Sequence, residues 1–213
     1  GSAFGNTGYF GIPVSLALLP DHALIYSIGF DLGATLVIWS LGPILLTDPS
    51  KVLSSNRYWK NFIKGIFSSP AVKGLIGALI IHSSPWDEQI TDLLWIPSRV
   101  VIVLALVIVG MRLSWLRKAN LSRIKNQITS IKNALIMKLV GLPVIMLIIS
   151  SAIRLPNVMR EALVLQSAAP TAISVLLISQ AASRDEDEAT SLVVLSTIIA
   201  LISIPAWLMI LRL

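Results

Sequence analysis

The sequence contains no cysteine, so its residues offer neither a disulfide nor a thiolate metal site. Charged residues are also scarce, at 13% of 213, while 55% of the residues are hydrophobic and the mean hydropathy is +0.81. Several apolar runs approach the ~20 residues that a helix needs to cross a bilayer core. These values predict an all-α polytopic membrane protein with about seven transmembrane helices and no cofactor or metal.

The motifs of membrane-embedded enzymes are missing as well. The sequence has neither H-E-x-x-H nor G-x-S-x-G, and Asp31 is the only carboxylate within an apolar run, whereas an aspartyl protease needs two. We therefore expect no enzymatic activity. The net charge of +6 does not indicate nucleic-acid binding, because the basic residues flank apolar segments, where they set orientation in the membrane.

The segment 160–182 is long enough to cross a bilayer but carries Pro170 at its centre. A proline there removes one backbone donor and displaces the carbonyl four residues earlier, so we expect a kinked or broken helix. Broken backbone at membrane depth is tolerated only inside protein or beside a cavity. The polar neighbours Gln166, Ser167 and Thr171 therefore predict a small-molecule site. A plain proline kink, with hydroxyls bonded to their own helix, is the alternative.

The first apolar segment, residues 1–19, has a similar composition. Asn6 and Thr7 precede Pro13, and the apolar run VSLALL follows the proline, as TAISVLL follows Pro170. Two apolar segments that are interrupted by proline and carry polar residues at the break are typical of transporters built from inverted repeats. The glycines of this segment also fit close helix packing without any ligand.

Asp31 is the one charge within the apolar part of the second span, residues 21–46. Inserting a carboxylate at that depth costs about 2.5–3.5 kcal/mol on translocon-based scales, so it should face protein or water. Asp31 is therefore a candidate for coupling transport to a proton or to sodium. A structural carboxylate, bonded to neighbouring helices, is the alternative.

Basic residues cluster in two stretches, 47–69 and 112–138, with four and seven Lys or Arg side chains respectively. Apolar residues in both stretches recur at helical spacing, which predicts an interfacial helix in 47–69 and a surface amphipathic helix in 112–138. The positive-inside rule places both stretches in the cytoplasm of an integral plasma-membrane (inner-membrane) protein. With alternating spans, the Pro13 and Pro170 segments then run in opposite directions, as inverted repeats require.

Several stretches resemble the auxin efflux carrier family, which includes bacterial malonate and malate permeases and the plant PIN-FORMED exporters. They are GNTGYFGIPVSLALL (5–19), LVLQSAAPTAISVLLISQ (163–180), LVVLSTIIALISIPAWLMIL (192–211), PAVKGLIGALI (70–80) and VIVGMRLS (107–114). The resemblance implies a ten-helix fold of two inverted five-helix repeats, whose fourth and ninth helices are broken and cross at mid-membrane. It further implies a secondary transporter of organic anions that works by elevator-like movement.

On that resemblance, the seven spans correspond to helices 4–10. Residues 1–46 would hold the last two helices of the first repeat, 47–69 the linker and 70–213 the second repeat, in an N-terminally truncated carrier. The first crossing would hold Asn6, Thr7 and Pro13, and the second would hold Gln166, Ser167, Pro170 and Thr171.

The expected substrate is a small organic anion, such as a dicarboxylate or an auxin-like carboxylate. The half-helix that restarts after a break presents unpaired N–H groups, and the Asn6 and Gln166 amides add donors, without a fixed cation at the site. Small-residue helix faces allow a homodimer in the bilayer. The alternative is a membrane sensor that does not transport, or an inactive truncated fragment.

Overall fold

The computed structural model describes residues 4–46, 60, 63–64, 66–67, 70–116, 121–182 and 186–213. Regular structure in these residues is helical, apart from one isolated antiparallel bridge between Gly5 and Thr171. The all-α prediction is therefore confirmed for the described part of the chain. Most of the predicted interfacial helix in 47–69 lies outside the described residues.

The helices are, in chain order, α1 (Ile12–Leu18), α2 (Leu24–Leu46), α3 (Pro70–His82), α4 (Asp87–Leu116), α5 (Leu121–Ile136), α6 (Leu142–Ala152), α7 (Asn157–Ser167), α8 (Ile173–Ala182) and α9 (Glu186–Leu211). The π-helical turn Thr7–Gly11 leads directly into α1, and the π-helical turn Met137–Gly141 joins α5 to α6. A short 3-10 turn, Asp21–Ala23, precedes α2.

The chain divides into two compact units. The first unit contains Gly1–Phe30 and Ile102–Leu213, and the second contains Asp31–Val101. Two helices, α2 and α4, begin in one unit and end in the other. The core of the first unit lies between α5, α7 and α9, where Leu165 and Ile204 are almost completely buried.

The second unit contains α3 and the first part of α4. A turn between these helices is closed by a contact of 2.9 Å between His82 Nδ1 and Asp87 Oδ2. Along α4 the described apolar side chains are strongly exposed, including Leu93, Ile96 and Val101. Such long apolar surfaces fit contact with lipid or with other protein rather than with water.

Two helical stretches in the described part of the chain are long and apolar enough to cross a membrane, Gln127–Ala152 and Glu186–Leu211. Thr7–Leu18 and Val72–His82 are shorter apolar helices. These stretches agree with a membrane protein, while the number of seven spans stays a prediction. Three acidic residues in the first turn of α9, Glu186–Glu188, favour its start because carboxylates stabilise the positive end of the helix dipole.

Each π-helical turn precedes a proline by the same distance. The sequence GIPV ends the first turn and starts α1, and GLPV does the same at the second turn and α6. A proline has no N–H, so the carbonyl four residues earlier loses its helical donor, and a wider turn accommodates the ring. Before Pro143 that carbonyl belongs to Leu139, and it accepts a hydrogen bond of 2.9 Å from the indole of Trp207.

Pro13 therefore does not break the first segment, contrary to the prediction. The helix is continuous from Thr7 to Leu18, because the π-helical turn absorbs the proline. The described residues before this helix, Phe4–Asn6, are not helical. Pro205 likewise lies inside the continuous helix α9.

The predicted surface helix in 112–138 also differs from the structure. The helix that begins at Leu121 continues through the second π-helical turn to Ala152, and it packs against α9. Ile131 and Leu135 are buried in the core instead of facing a membrane surface. The three-four spacing does mark one helical face, of which Ile131 and Leu135 contact protein while Ile128 is exposed.

The hydrogen bond from the Trp207 indole to the Leu139 carbonyl should stabilise the fold. Trp207→Phe keeps the apolar ring but leaves the Leu139 carbonyl buried without a donor, which costs about 1–3 kcal/mol. We expect a lower thermal unfolding temperature for the purified variant. Trp86→Phe, at a side chain that is 60% exposed, is the matched control and should unfold as the unaltered protein does. Equal unfolding temperatures for the two variants would contradict the assigned role of the bond.

Candidate functional site

Two non-helical segments meet in the first unit and form a short antiparallel bridge. Asn6 N donates to Pro170 O at 2.7 Å, and Ala172 N donates to Phe4 O at 2.9 Å, on either side of the Gly5–Thr171 pair. One segment precedes the helix that starts at Thr7, and the other lies between α7 and α8. The sequence segments around Asn6 and Pro170 are therefore in direct contact, and we call this place the crossing.

Backbone groups at the crossing have partners in spite of the missing helical bonds. Thr171 N donates to Ser196 Oγ of α9 at 3.0 Å, and Ser196 Oγ lies 3.2 Å from Val193 O. The carbonyl of Gln166, four residues before Pro170, accepts from Ala169 N. Backbone N–H groups of Thr171 and Ala172 are thus already used within the protein. This differs from the expectation that the restarting half presents them to a ligand.

The predicted site residues lie deep in the unit. Asn6, Thr7, Gln166, Ser167 and Thr171 are all buried, and Thr171 and Gln166 have no exposed surface. Pro170 is also fully buried within the crossing. Pro13 is buried one turn into the helix that follows and takes no part in the bridge. The Ser167 hydroxyl donates to Val164 O of its own helix at 2.7 Å, as the plain-kink alternative describes.

Gln166 links the two halves of the crossing through a chain of hydroxyl groups. Its Nε2 lies 3.5 Å from Ser15 Oγ, and Ser27 Oγ lies 2.9 Å from the same oxygen. Gly11 makes room for this amide, since a Cβ built on Gly11 would lie 2.1 Å from Gln166 Oε1. A side chain at position 11 would therefore displace the Gln166 amide from its present position. The chain of contacts connects α7 to α1 and to the first turns of α2.

Two buried polar atoms at the crossing have no hydrogen-bond partner. They are Gln166 Oε1, an acceptor, and Thr171 Oγ1, a hydroxyl that can donate or accept. Buried polar atoms are nearly always paired, because leaving one without a partner costs about 1–3 kcal/mol. An unpaired acceptor and an unpaired hydroxyl can therefore each receive a polar group of a ligand.

Lys138 is also part of the crossing, although it belongs in sequence to the basic stretch 112–138, for which a surface helix is predicted. Its side chain is only 2% exposed, and its Nζ donates to Ser167 O at 3.1 Å. A Cβ built on Gly5 would lie 2.8 Å from this ammonium. This differs from the expectation of a site without a fixed cation, since the second π-helical turn places a lysine beside the bridge.

The sequence contains a signal for this residue. Lys138 stands alone within the apolar run ALIMKLVGLPVIM, and the following GLPV repeats the GIPV of the first segment. A single cation inside an apolar run indicates function in a membrane segment. Ser15, Ser27 and Ser196, which hold the crossing together, carry no comparable signal because serine is common in membrane helices.

Asp31 lies on α2 in the second unit, outside the unit that contains the crossing. Its side chain is half-buried. The crossing itself is built by residues of the first unit alone.

Comparison with known proteins places these features in a family. The chain matches the family described as membrane transport protein over residues 1–208. It is 23% identical over 207 residues to an uncharacterized transporter of Methanothermobacter thermautotrophicus. That alignment covers 97% of the chain but 65% of the relative, so the chain spans a little less than two thirds of the relative's length. No solved structure shows a significant match to the chain.

The family match covers almost every element described above, including both segments of the crossing and the helix that carries Lys138. It confirms the resemblance that the two proline segments indicated. The protein belongs to the membrane transport protein family.

Proposed function

We propose that the protein is a secondary transporter of small organic anions and that the substrate binds at the crossing. Family membership supports a transported substrate and a membrane setting. The observation that carries the proposal is the bridge between Gly5 and Thr171, with the unpaired atoms Gln166 Oε1 and Thr171 Oγ1 beside it. Interrupted helices that meet inside a membrane protein are the usual location of a transporter's substrate site.

The polar atoms indicate which groups a substrate should carry. The Thr171 hydroxyl can donate to a carboxylate oxygen, while Gln166 Oε1 requires a donor such as a hydroxyl or a ring N–H. Helices that start at Thr7 and Ile173 also place their positive ends near the bridge. A small carboxylate with a donor group, such as malate or an indole acid, satisfies these requirements together.

The two compact units support an elevator-like mechanism. All residues of the crossing belong to the first unit, so the substrate site would move with that unit as one body. The second unit, with α3 and most of the first half of α4, would serve as the scaffold. α2 and α4 connect the units covalently and would contain the hinges.

We extend the proposal to topology. Residues 1–46 and 70–213 would belong to two inverted repeats that are joined by the linker 47–69, and together they would form seven spans. The basic stretches 47–69 and 112–138 would lie on the cytoplasmic side of the plasma membrane. Protonation or sodium binding at Asp31 would couple transport to an ion gradient. A homodimer is part of the same proposal, through small-residue faces such as Gly74 and Ala78.

Removing polar side chains from the crossing should impair transport. We expect Asn6→Ala and Gln166→Ala each to lower the initial rate of counterflow uptake about tenfold, which corresponds to about 1.4 kcal/mol. The assay uses the full-length protein in liposomes with radiolabelled malonate, malate and indole-3-acetate. Asn157→Ala and Gln89→Ala, at exposed positions, are matched controls and should leave uptake unchanged.

Uptake that is equal in all four variants would remove the substrate from the crossing. Saturable binding of these acids without any flux in the unaltered protein would instead identify a sensor. Absence of both binding and uptake for all three acids would overturn the proposal.

Asp31→Asn tests the coupling role separately. An asparagine keeps the size and polarity of the side chain but cannot change its charge, so uptake should no longer respond to an imposed proton or sodium gradient. Exchange in the absence of any gradient should continue. Glu161→Gln, which changes a carboxylate that contacts Arg212 at the end of α9, is the control. A variant at Asp31 that still responds to both gradients would exclude this residue from coupling.

A further inference from the structure

We infer that Lys138 recognises the negative charge of the transported substrate and determines the preference of the crossing for anions over neutral molecules. The inference deepens the proposed function and rests on it. Lys138 belongs to neither of the interrupted segments. It comes from the π-helical turn Met137–Gly141 between α5 and α6, and its side chain reaches Ser167 O at the crossing.

The core around Lys138 is otherwise apolar along its own helix. The neighbouring positions Ile131, Leu135 and Leu139 on the same helix are buried apolar core residues. An apolar side chain at position 138 would continue this face without the cost of removing an ammonium from water. Buried charges are retained where they are paired or where they act on a ligand.

The hydrogen bonds of Lys138 are incomplete. An ammonium has three donors, and the bond to Ser167 O uses one of them. Ion pairs among the described residues are formed by His82 with Asp87 and by Arg212 with Glu161, and neither involves Lys138. In the described part of the chain, the charge of Lys138 is therefore not balanced by a carboxylate. Two N–H donors and a full positive charge are available to a ligand.

The helix ends at the crossing do not cancel this charge. Ser167 ends α7, so its carbonyl belongs to a negative helix end, and the bond from Lys138 partly neutralises that end. The helix starting at Thr7 and α8, which starts at Ile173, add two positive ends. The sum at the crossing is positive. An anion would balance this positive charge and could accept a hydrogen bond from the unpaired Thr171 hydroxyl.

Gly5 sets the position of the ammonium. A Cβ at this residue would lie 2.8 Å from Lys138 Nζ and 3.5 Å from its Cε, so a side chain at position 5 would displace the lysine. The glycine that pairs with Thr171 in the bridge is thus also the wall against which Lys138 rests. Gly5→Ala offers a way to move the charge without removing it.

The test compares acids with neutral analogues of the same shape. Binding of malate and malamide, and of indole-3-acetate and indole-3-acetamide, is measured by isothermal titration to the full-length protein in lipid nanodiscs. The unaltered protein should bind each acid at least tenfold more tightly than its amide. In Lys138→Met this ratio should fall to about one, whereas Lys138→Arg should retain most of the preference because it keeps the charge. Lys132→Met, at an exposed position six residues earlier on the same helix, is the control and should keep the full ratio.

Each outcome decides between explanations. Lys138→Met that keeps the preference for acids would overturn the inference and leave the proposed function intact, with Lys138 as a structural tether of Ser167. An unaltered protein that binds acids and amides equally would also overturn it. An unaltered protein that binds none of the four probes would overturn the proposed function, and the inference with it.

A second variant covers the case in which Lys138→Met does not give a monodisperse protein. Gly5→Ala should lower the affinity for both acids at least fivefold and leave the affinity for the amides unchanged. Where both variants fold, the double variant should be no weaker than Lys138→Met alone, because both changes act through the same ammonium. Unchanged affinity of Gly5→Ala for the acids would contradict the inference.

Discussion

The structure of the first unit depends on how backbone polar groups are paired where two helices stop inside the protein. Hydrocarbon provides no hydrogen bonds, so every interrupted helix requires partners for its N–H and C=O groups from elsewhere in the chain. Here each interrupted segment provides them for the other, through Asn6 with Pro170 and Ala172 with Phe4. The remaining groups are paired by side chains from neighbouring helices, Ser196 and Lys138. Without the other segment, Asn6 N, Phe4 O, Pro170 O and Ala172 N would each lose this hydrogen bond.

This mutual pairing also gives the crossing its chemistry. Backbone groups that are occupied in the bridge cannot bind a ligand, so under the proposed function recognition would depend on side chains. Those side chains are unequal, because Ser167 is bonded to its own helix while Thr171 and Gln166 retain unpaired atoms. Separating the helices at the crossing would break the hydrogen bonds that hold its non-helical backbone.

The sequence was sufficient for the fold class, for the family and for the positions of the polar segments. Prolines and polar residues within apolar runs can be recognised directly in the sequence. It was not sufficient to predict that Pro13 lies within a continuous helix. A π-helical turn accommodates this proline, and the composition of the segment does not distinguish such a turn from a break. Charge counting groups Lys138 with the bases before it, and only burial separates it from a residue such as the exposed Lys132. The apolar face of α5 was recognised, but periodicity cannot tell whether protein or lipid covers it.

The hydrogen bonds of α9 have a consequence for variation in length. Ser196 reaches the interrupted backbone at Thr171, and Trp207 reaches the carbonyl left free by Pro143. The two residues are 207 − 196 = 11 positions apart, which is about three helical turns, so they point in the same direction. If one residue were inserted or deleted between them, the direction of the Ser196 side chain would rotate by about 100° relative to that of Trp207. This segment of α9 is therefore fixed in length, and natural insertions in related carriers should fall before Ser196 or after Trp207.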